Sequence, residues 1–257
     1  MMEHSEVHKE VCRVFHLGVL PKITGPTFTN RPIDHTLFSR EDDVGFISAI
    51  RTIAAKLECH LTAHRRKVIA VTSARPSEGK STTAMTLAQS LSESEKTLLI
   101  DADLRMSTLG MRFGLRHQAP GLTEVLLSER SDDELIQPTL KPNLDLLPAG
   151  RLSEMPSSLI TSTAFTHLIN VLQRRYDKIV IDTPPLHSVN DSLHLGKLAG
   201  GLLLVNKAGS KGPQILPEVI DCLKHHDIGI DGIVINQLSN SPEMESTYNN
   251  DLPLMAG

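Results

Sequence analysis

The sequence predicts an α/β fold, a mainly parallel β-sheet flanked by helices on both faces. Short, continuously apolar runs of strand length recur along the chain, and stretches with helical spacing separate them. Continuous rather than alternating apolarity marks strands buried on both faces, and strands that alternate with helices join by crossovers that leave neighbours parallel.

Taken in order, residues 24–43 (TGPTFTNRPIDHTLFSREDD) mix Pro, Gly, Thr and charge with neither hydrophobic period and read as a linker. Residues 1–43 are therefore expected to lie outside the core, with the folded domain at 44–238 and a tail at 239–257. From Val44 to Leu61, the residues Ile47, Ile50, Ala54, Leu57 and Leu61 recur every three or four positions, the spacing of one helix face. Strands are predicted at 68–73 (VIAVTS), 97–103 (TLLIDAD), 144–150 (LDLLPAG), 178–183 (KIVIDT), 201–207 (GLLLVNK) and 232–237 (GIVINQ). The tail from Ser239 to Gly257 is polar, holds Pro242 and Pro253 and shows no period, so a mobile segment is expected there.

With 257 residues, 40% hydrophobic and 22% charged, the chain can bury a substantial core. Its net charge of −4 argues against a nucleic-acid surface, which needs a clustered basic excess. Arg65, Arg66 and Lys67 form a basic cluster expected to solvate the mouth of a strand. Cys12, Cys59 and Cys222 are odd in number and lack CxxC spacing, so neither a disulfide framework nor a structural zinc is expected, and a reducing cytoplasm fits. No apolar run approaches the roughly 20 residues needed to span a bilayer.

Three motifs carry chemistry. The segment SARPSEGKST at 73–82 lies between a predicted strand and a helix whose apolar face is Ala84, Leu87, Ala88 and Leu91. That is the setting of a phosphate-binding loop and of the P-loop NTPase fold. In the loop Pro76-Ser77-Glu78-Gly79 the backbone N–H groups from Ser77 onward point at phosphates, Lys80 neutralises the terminal oxygens, and Ser81 offers a hydroxyl to magnesium beside Thr82. Gly79 permits close backbone approach, while Ala74 replaces the usual first glycine. The other two motifs are acidic strand ends, Asp101-Ala102-Asp103-Leu104-Arg105 and Asp182-Thr183-Pro184-Pro185. Ligands of parallel sheets collect at carboxyl ends of strands, so these carboxylates should face the loop. Ser81, Asp101, Asp103 and Asp182 make a hard-oxygen set suited to magnesium beside ATP, and one carboxylate is left to take a nucleophile's proton.

Together, SARPSEGKST, LLIDADLR and IVIDTPP resemble the deviant Walker A, A′ and B set of the bacterial tyrosine kinases, the autokinases of capsule and exopolysaccharide assembly. The likeness extends through GLTEVLLSE, LDLLPAG and YDKIVIDTPP across most of residues 45–238. The resemblance implies ATP and Mg2+ as cofactors, with Lys80 and Ser81 on the phosphates and metal. Asp101 and Asp103 would share metal contact and activation of a tyrosine hydroxyl, Asp182 would hold magnesium through water, and Arg105 would sit near the transferring phosphate. Asn236 matches the asparagine that reads adenine in related ATPases, although by its residues alone it ends a strand equally well. VFHLGVLPKI at 14–23 is similar to the segment following the second membrane helix in kinases fused to a chain-length-regulating membrane domain. Such a domain, in the same polypeptide or a separate protein, and neighbouring copies of the chain are the implied partners, at the inner face of the cell membrane.

The sequence also departs from that family. The tail offers one tyrosine, Tyr248, as phosphoacceptor, since Tyr176 precedes a strand and is expected to be packed. Of the family's Glu-x-x-Arg-x-x-Arg ring motif only Arg51 is present, Ser77 stands where glycine is usual, and Met106-Ser107 replace Arg-Pro. Two alternatives stay open: an ATPase switch of the partition type, in which water is the nucleophile, and a non-catalytic regulator of polysaccharide assembly. Against the first, Ala74-Arg75-Pro76 lacks the early lysine usual in such switches.

Overall fold

The computed structural model describes residues 16–22, 44–188, 190–209 and 212–238. Eight strands form one sheet: β1 (His16–Pro21), β2 (Val68–Ser73), β3 (Thr97–Asp101), β4 (Gln137–Pro138), β5 (Leu144–Leu147), β6 (Lys178–Asp182), β7 (Leu202–Lys207) and β8 (Ile230–Leu238). Their spatial order is β1-β8-β7-β2-β6-β3-β5-β4, and every pairing is parallel except that of β4 with β5. The predicted mainly parallel sheet is therefore present. The two-residue β4, which no periodicity announces, closes one edge with Pro138, a position where a missing N–H is tolerated.

The helices are α1 (Val44–Ala63), α2 (Lys80–Leu91), α3 (Leu109–Arg112), α4 (Leu122–Leu126), α5 (Asp132–Leu135), α6 (Pro156–Ile160), α7 (Thr163–Leu172), α8 (Asp191–Ala199) and α9 (Gly212–His225). Strand side chains alternate between faces, and the core splits accordingly. Val68, Ala70, Leu98, Ile100, Ile179 and Ile181 belong to one cluster, packed with Phe165, Ile169 and Leu172 of α7 and with Leu195 of α8. Their neighbours Ile69, Val71, Leu99 and Val180 belong to the other, packed with α1 and α2. This is why the strands read as unbroken apolar runs.

Helix α1 buries Ile47, Ile50, Ala54, Leu57 and Leu61, as their spacing predicts, and adds Phe46 and Ile53. Each large side chain so buried contributes about 1.5–3 kcal/mol.

The N-terminal boundary differs from expectation. Residues His16–Pro21, placed outside the core with the rest of 1–43, form β1, pair with β8, and bury Leu17 and Leu20 completely. Lys56 of α1 ties the strand down by donating to the Leu17 carbonyl at 2.9 Å, and Gly18 lets Ile53 approach, since a Cβ there would stand 3.0 Å from Ile53 Cγ1. The linker at 24–43, and the tail with Tyr248, lie outside the described residues.

The basic cluster also differs. Arg66 makes a two-pronged pair with the buried carboxylate of Asp231, NH1 to Oδ1 at 2.7 Å. Lys67 donates to the carbonyls of Gln173 and Tyr176 at 3.0 and 3.1 Å. Both cations are thus structural ties rather than a solvated rim. Tyr176 is packed as expected, its hydroxyl donating to Asp145 Oδ2 at 2.7 Å.

Candidate active site

The site gathers at the carboxyl ends of β2, β3, β6, β7 and β8. The loop 74–79 leaves β2 and delivers the chain to α2, which begins at Lys80. Two left-handed residues shape it: Gly79 with φ 96° and Ser77 with φ 65°. Glycine adopts such angles without strain, whereas serine meets a steric penalty of about 1–2 kcal/mol.

The loop is braced from three strands. Ser73 Oγ, at the end of β2, donates to Arg75 O at 2.7 Å. Glu78 turns its carboxylate back into the loop and accepts from the Arg75 N–H at 2.8 Å, with the Ala74 and Lys207 backbone N–H groups also bonded to it. Asn236 of β8 donates from Nδ2 to the Glu78 carbonyl at 2.9 Å. Burial pushes the Glu78 pKa up, and these N–H donors partly oppose the rise. The Glu78 carboxylate and the Asn236 amide are thus both engaged in holding the loop's shape.

Asp101 and Asp182 end adjacent strands in direct register, so their carboxylates stand side by side, and Asp103 follows two residues on. Lys80 Nζ donates to Asp103 Oδ2 at 2.9 Å and to Ser81 Oγ at 3.2 Å, and lies 3.6 Å from Asp182 Oδ1. Lys80, Ser81 and all three aspartates are buried. The structure therefore brings together the lysine, the serine and the acidic strand ends that the motifs single out.

Electrostatics follow from that burial. Burial alone would lower the Lys80 pKa, but Asp182 and Asp103 outweigh it and hold the ammonium above its ordinary value. Burial and the neighbouring Asp182 push Asp101 up to about 7, against donation from Ser107 Oγ and the Leu109 N–H. Asp182 is also raised, chiefly by burial. The Ser81 hydroxyl is near enough to oppose that rise but not in hydrogen-bonding geometry, so both Asp182 oxygens remain without a hydrogen-bond partner.

Arg105 is placed differently from expectation. Its guanidinium pairs with Asp191 at the start of α8 and donates to Ser157 Oγ at 2.7 Å, and Ser157 in turn donates to Asp191 Oδ1 at 2.7 Å. It fastens the segment after Asp103 to α6 and α8 rather than facing Lys80. The cation beside Thr82 is instead Arg112 of α3, whose NH1 donates to Thr82 Oγ1 at 2.8 Å. Nothing in the spacing of Met111-Arg112-Phe113 marks it, because a four-residue helix has no readable period.

A model of the AAA domain matches residues 66–197, half of the chain. The tyrosine-protein kinase CpsD of Streptococcus agalactiae is 30% identical over 85% of this chain and 93% of its own length. The chain belongs to the bacterial tyrosine kinases. A solved VpsO kinase domain is 35% identical, covering 75% of this chain and 96% of that one with a TM-score of 0.68. The tyrosine-protein kinase ptk of Acinetobacter johnsonii is 29% identical over 78% of the chain, a match that spans 27% of that longer protein.

Proposed function

We propose that the chain is an ATP-dependent protein-tyrosine autokinase that phosphorylates Tyr248 of its own tail, in trans between neighbouring copies, and so regulates polymerisation and export of capsule or exopolysaccharide. The observation that carries this reading is the ion-paired cluster of Lys80 with Asp103 and Asp182 at the start of α2. Such a cluster suits phosphoryl transfer, in which catalysis is mostly positioning and charge neutralisation.

The residues fit a hard divalent cation, because the donors are all oxygens and the buried Asp182 carboxylate has no hydrogen-bond partner. Ser81, Asp101, Asp103 and Asp182 would hold magnesium, which when bound neutralises the phosphate oxygens. Lys80 turns from Asp103 to the terminal phosphates as ATP enters, and the first turn of α2 presents its N–H groups to them. Release of Lys80 frees Asp103 Oδ2 to accept the tyrosine proton. The tyrosine oxygen then bonds the γ-phosphorus as the bridging P–O bond breaks, leaving ADP. Asp101, whose oxygens accept from Ser107, Leu109 and Asp103 N–H, sets the loop that carries Asp103.

Beside Asp103 lies a groove lined in part by Arg105, Met106, Met111, Arg116 and His117. Its basic and thioether character suits a tail that carries Glu243, Glu245 and Asp251, no lysine or arginine, and Met244. A tethered tail reaches millimolar effective concentration at a neighbouring site, so weak recognition suffices. Among the described residues no helix is long and apolar enough to cross a membrane. The much greater length of ptk supports attachment through a membrane domain, fused or separate, at the inner face of the membrane.

The test mixes two variants with magnesium and ATP. Lys80→Met cannot transfer phosphate but keeps Tyr248, whereas Tyr248→Phe is an active enzyme without the acceptor. Peptide mass spectrometry is expected to find phosphate on Tyr248 of the Lys80→Met chain only in the mixture. An unlabelled tail with ATP bound sinks the proposal, and phosphate release without protein labelling favours the ATPase switch.

A further inference from the structure

Two cations face the buried carboxylates of the site, and the kinase reading uses only Lys80. The other, Arg112, reaches from α3 to Thr82, two residues beyond Lys80 in the first turn of α2. A guanidinium has five N–H donors in a planar fork suited to phosphate. Among the described residues the Thr82 hydroxyl is its one hydrogen-bond acceptor. Burial lowers its pKa, and Asp182 and Asp101 lie close enough to offset that in part. A half-buried arginine with most of its donors unused, beside a loop built to hold phosphates, lacks the partner its geometry suits.

We infer that Arg112 is a second phosphate-binding cation, contacting the part of the phosphate chain that ATP and ADP share. This rests on reading the loop as a nucleotide site. Lys80 serves the β- and γ-phosphates, while the first turn of the helix cradles the α- and β-phosphates. Thr82 belongs to that turn, so a guanidinium held on its hydroxyl stands toward the nucleoside side. In the nucleotide-free protein Arg112 balances the carboxylates. On binding it balances the phosphates, keeping the site near neutrality in both states.

Isothermal calorimetry of the full chain with Mg-ATP and with Mg-ADP tests this. Arg112→Met is expected to weaken both nucleotides alike, by about ten-fold or more, the scale of a hydrogen bond to a charged group. Arg112→Lys should recover part of the loss, and the salt dependence of binding should become shallower in Arg112→Met, because one screened attraction is gone. Thr82→Val, which removes the tether but leaves the guanidinium, should lose less than Arg112→Met. Wild-type affinity in a folded Arg112→Met, a loss confined to ATP, or an equal loss in Thr82→Val would each overturn the assignment. A wild-type chain that binds neither nucleotide would sink the reading of the site itself, and with it the role of Arg112.

Discussion

Asn236 Nδ2 donates to the carbonyl of Glu78 at 2.9 Å, joining the last strand of the sheet to the phosphate loop across 158 residues of sequence. The amide occupies the space where a side chain on Gly79 would start. Gly79 is thus required twice, by its left-handed φ of 96° and by this close approach. Gly79→Ala is expected to weaken Mg-ADP binding at least about ten-fold, the backbone strain alone being about 1–2 kcal/mol. Adding Asn236→Ala removes the overlap but not the strain, so the double variant should recover part of the affinity. Calorimetry that finds the two substitutions additive contradicts the link.

Asp182 sets stability against function. Its carboxylate is buried without a hydrogen-bond partner, and its pKa is raised. Asp182→Asn removes that buried charge while Asp103 continues to pair with Lys80. The nucleotide-free variant should melt several degrees higher, at about 2–4 °C per kcal/mol for a chain of this size. Phosphotransfer should fall by about two orders of magnitude, because electrostatic stabilisation of the transferring group is lost. Calorimetric melting and a labelled-ATP assay read the two effects separately.

Asp101 gives the nucleotide-free protein a pH dependence. Its pKa rises from 3.8 unfolded to about 7 folded, so the native state holds this proton more tightly. The stabilisation is complete below pH 3.8 and is lost as pH climbs toward about 7. Thermal stability should therefore decline between about pH 4 and pH 7. Asp101→Asn should flatten the slope in part, since Asp182 is shifted in the same direction. A slope unchanged by that substitution counts against the assignment.

Ser77 holds φ 65°, an angle that glycine adopts freely. Ser77→Gly is expected to stabilise the folded protein by about 0.5 kcal/mol, the relieved strain less the extra freedom of glycine in the unfolded chain. Urea unfolding with an unchanged m-value would measure it.

The parallel sheet was legible because its central strands are apolar on both faces, so VIAVTS, TLLIDAD and KIVIDT stand out against any local noise. Proximity of Lys80, Asp101, Asp103 and Asp182 followed from strand polarity, which forces such residues to one end of the sheet. What stayed hidden depends on tertiary partners. His16–Pro21 is short and contains glycine and proline, and only its seat between α1 and β8 makes it a strand. The pairing of Arg105 with Asp191 and the position of Arg112 beside Thr82 were not readable, because side-chain reach from a loop or a one-turn helix is set by such neighbours. Arg51, the one ring-motif residue present, is engaged within the chain by Glu93 at 2.8 Å.

Strand β1 bears on how the domain should be cut for expression. A fragment starting at Val44 would strip β8 of its outer neighbour, leaving a ladder of unanswered amides along Ile233, Val234 and Ile235 and uncovering the apolar flank of Ile53. Exposed borders of that sort recruit foreign strands. Shortened preparations should thus clump where the longer chain stays dispersed, through loss of a six-residue cover.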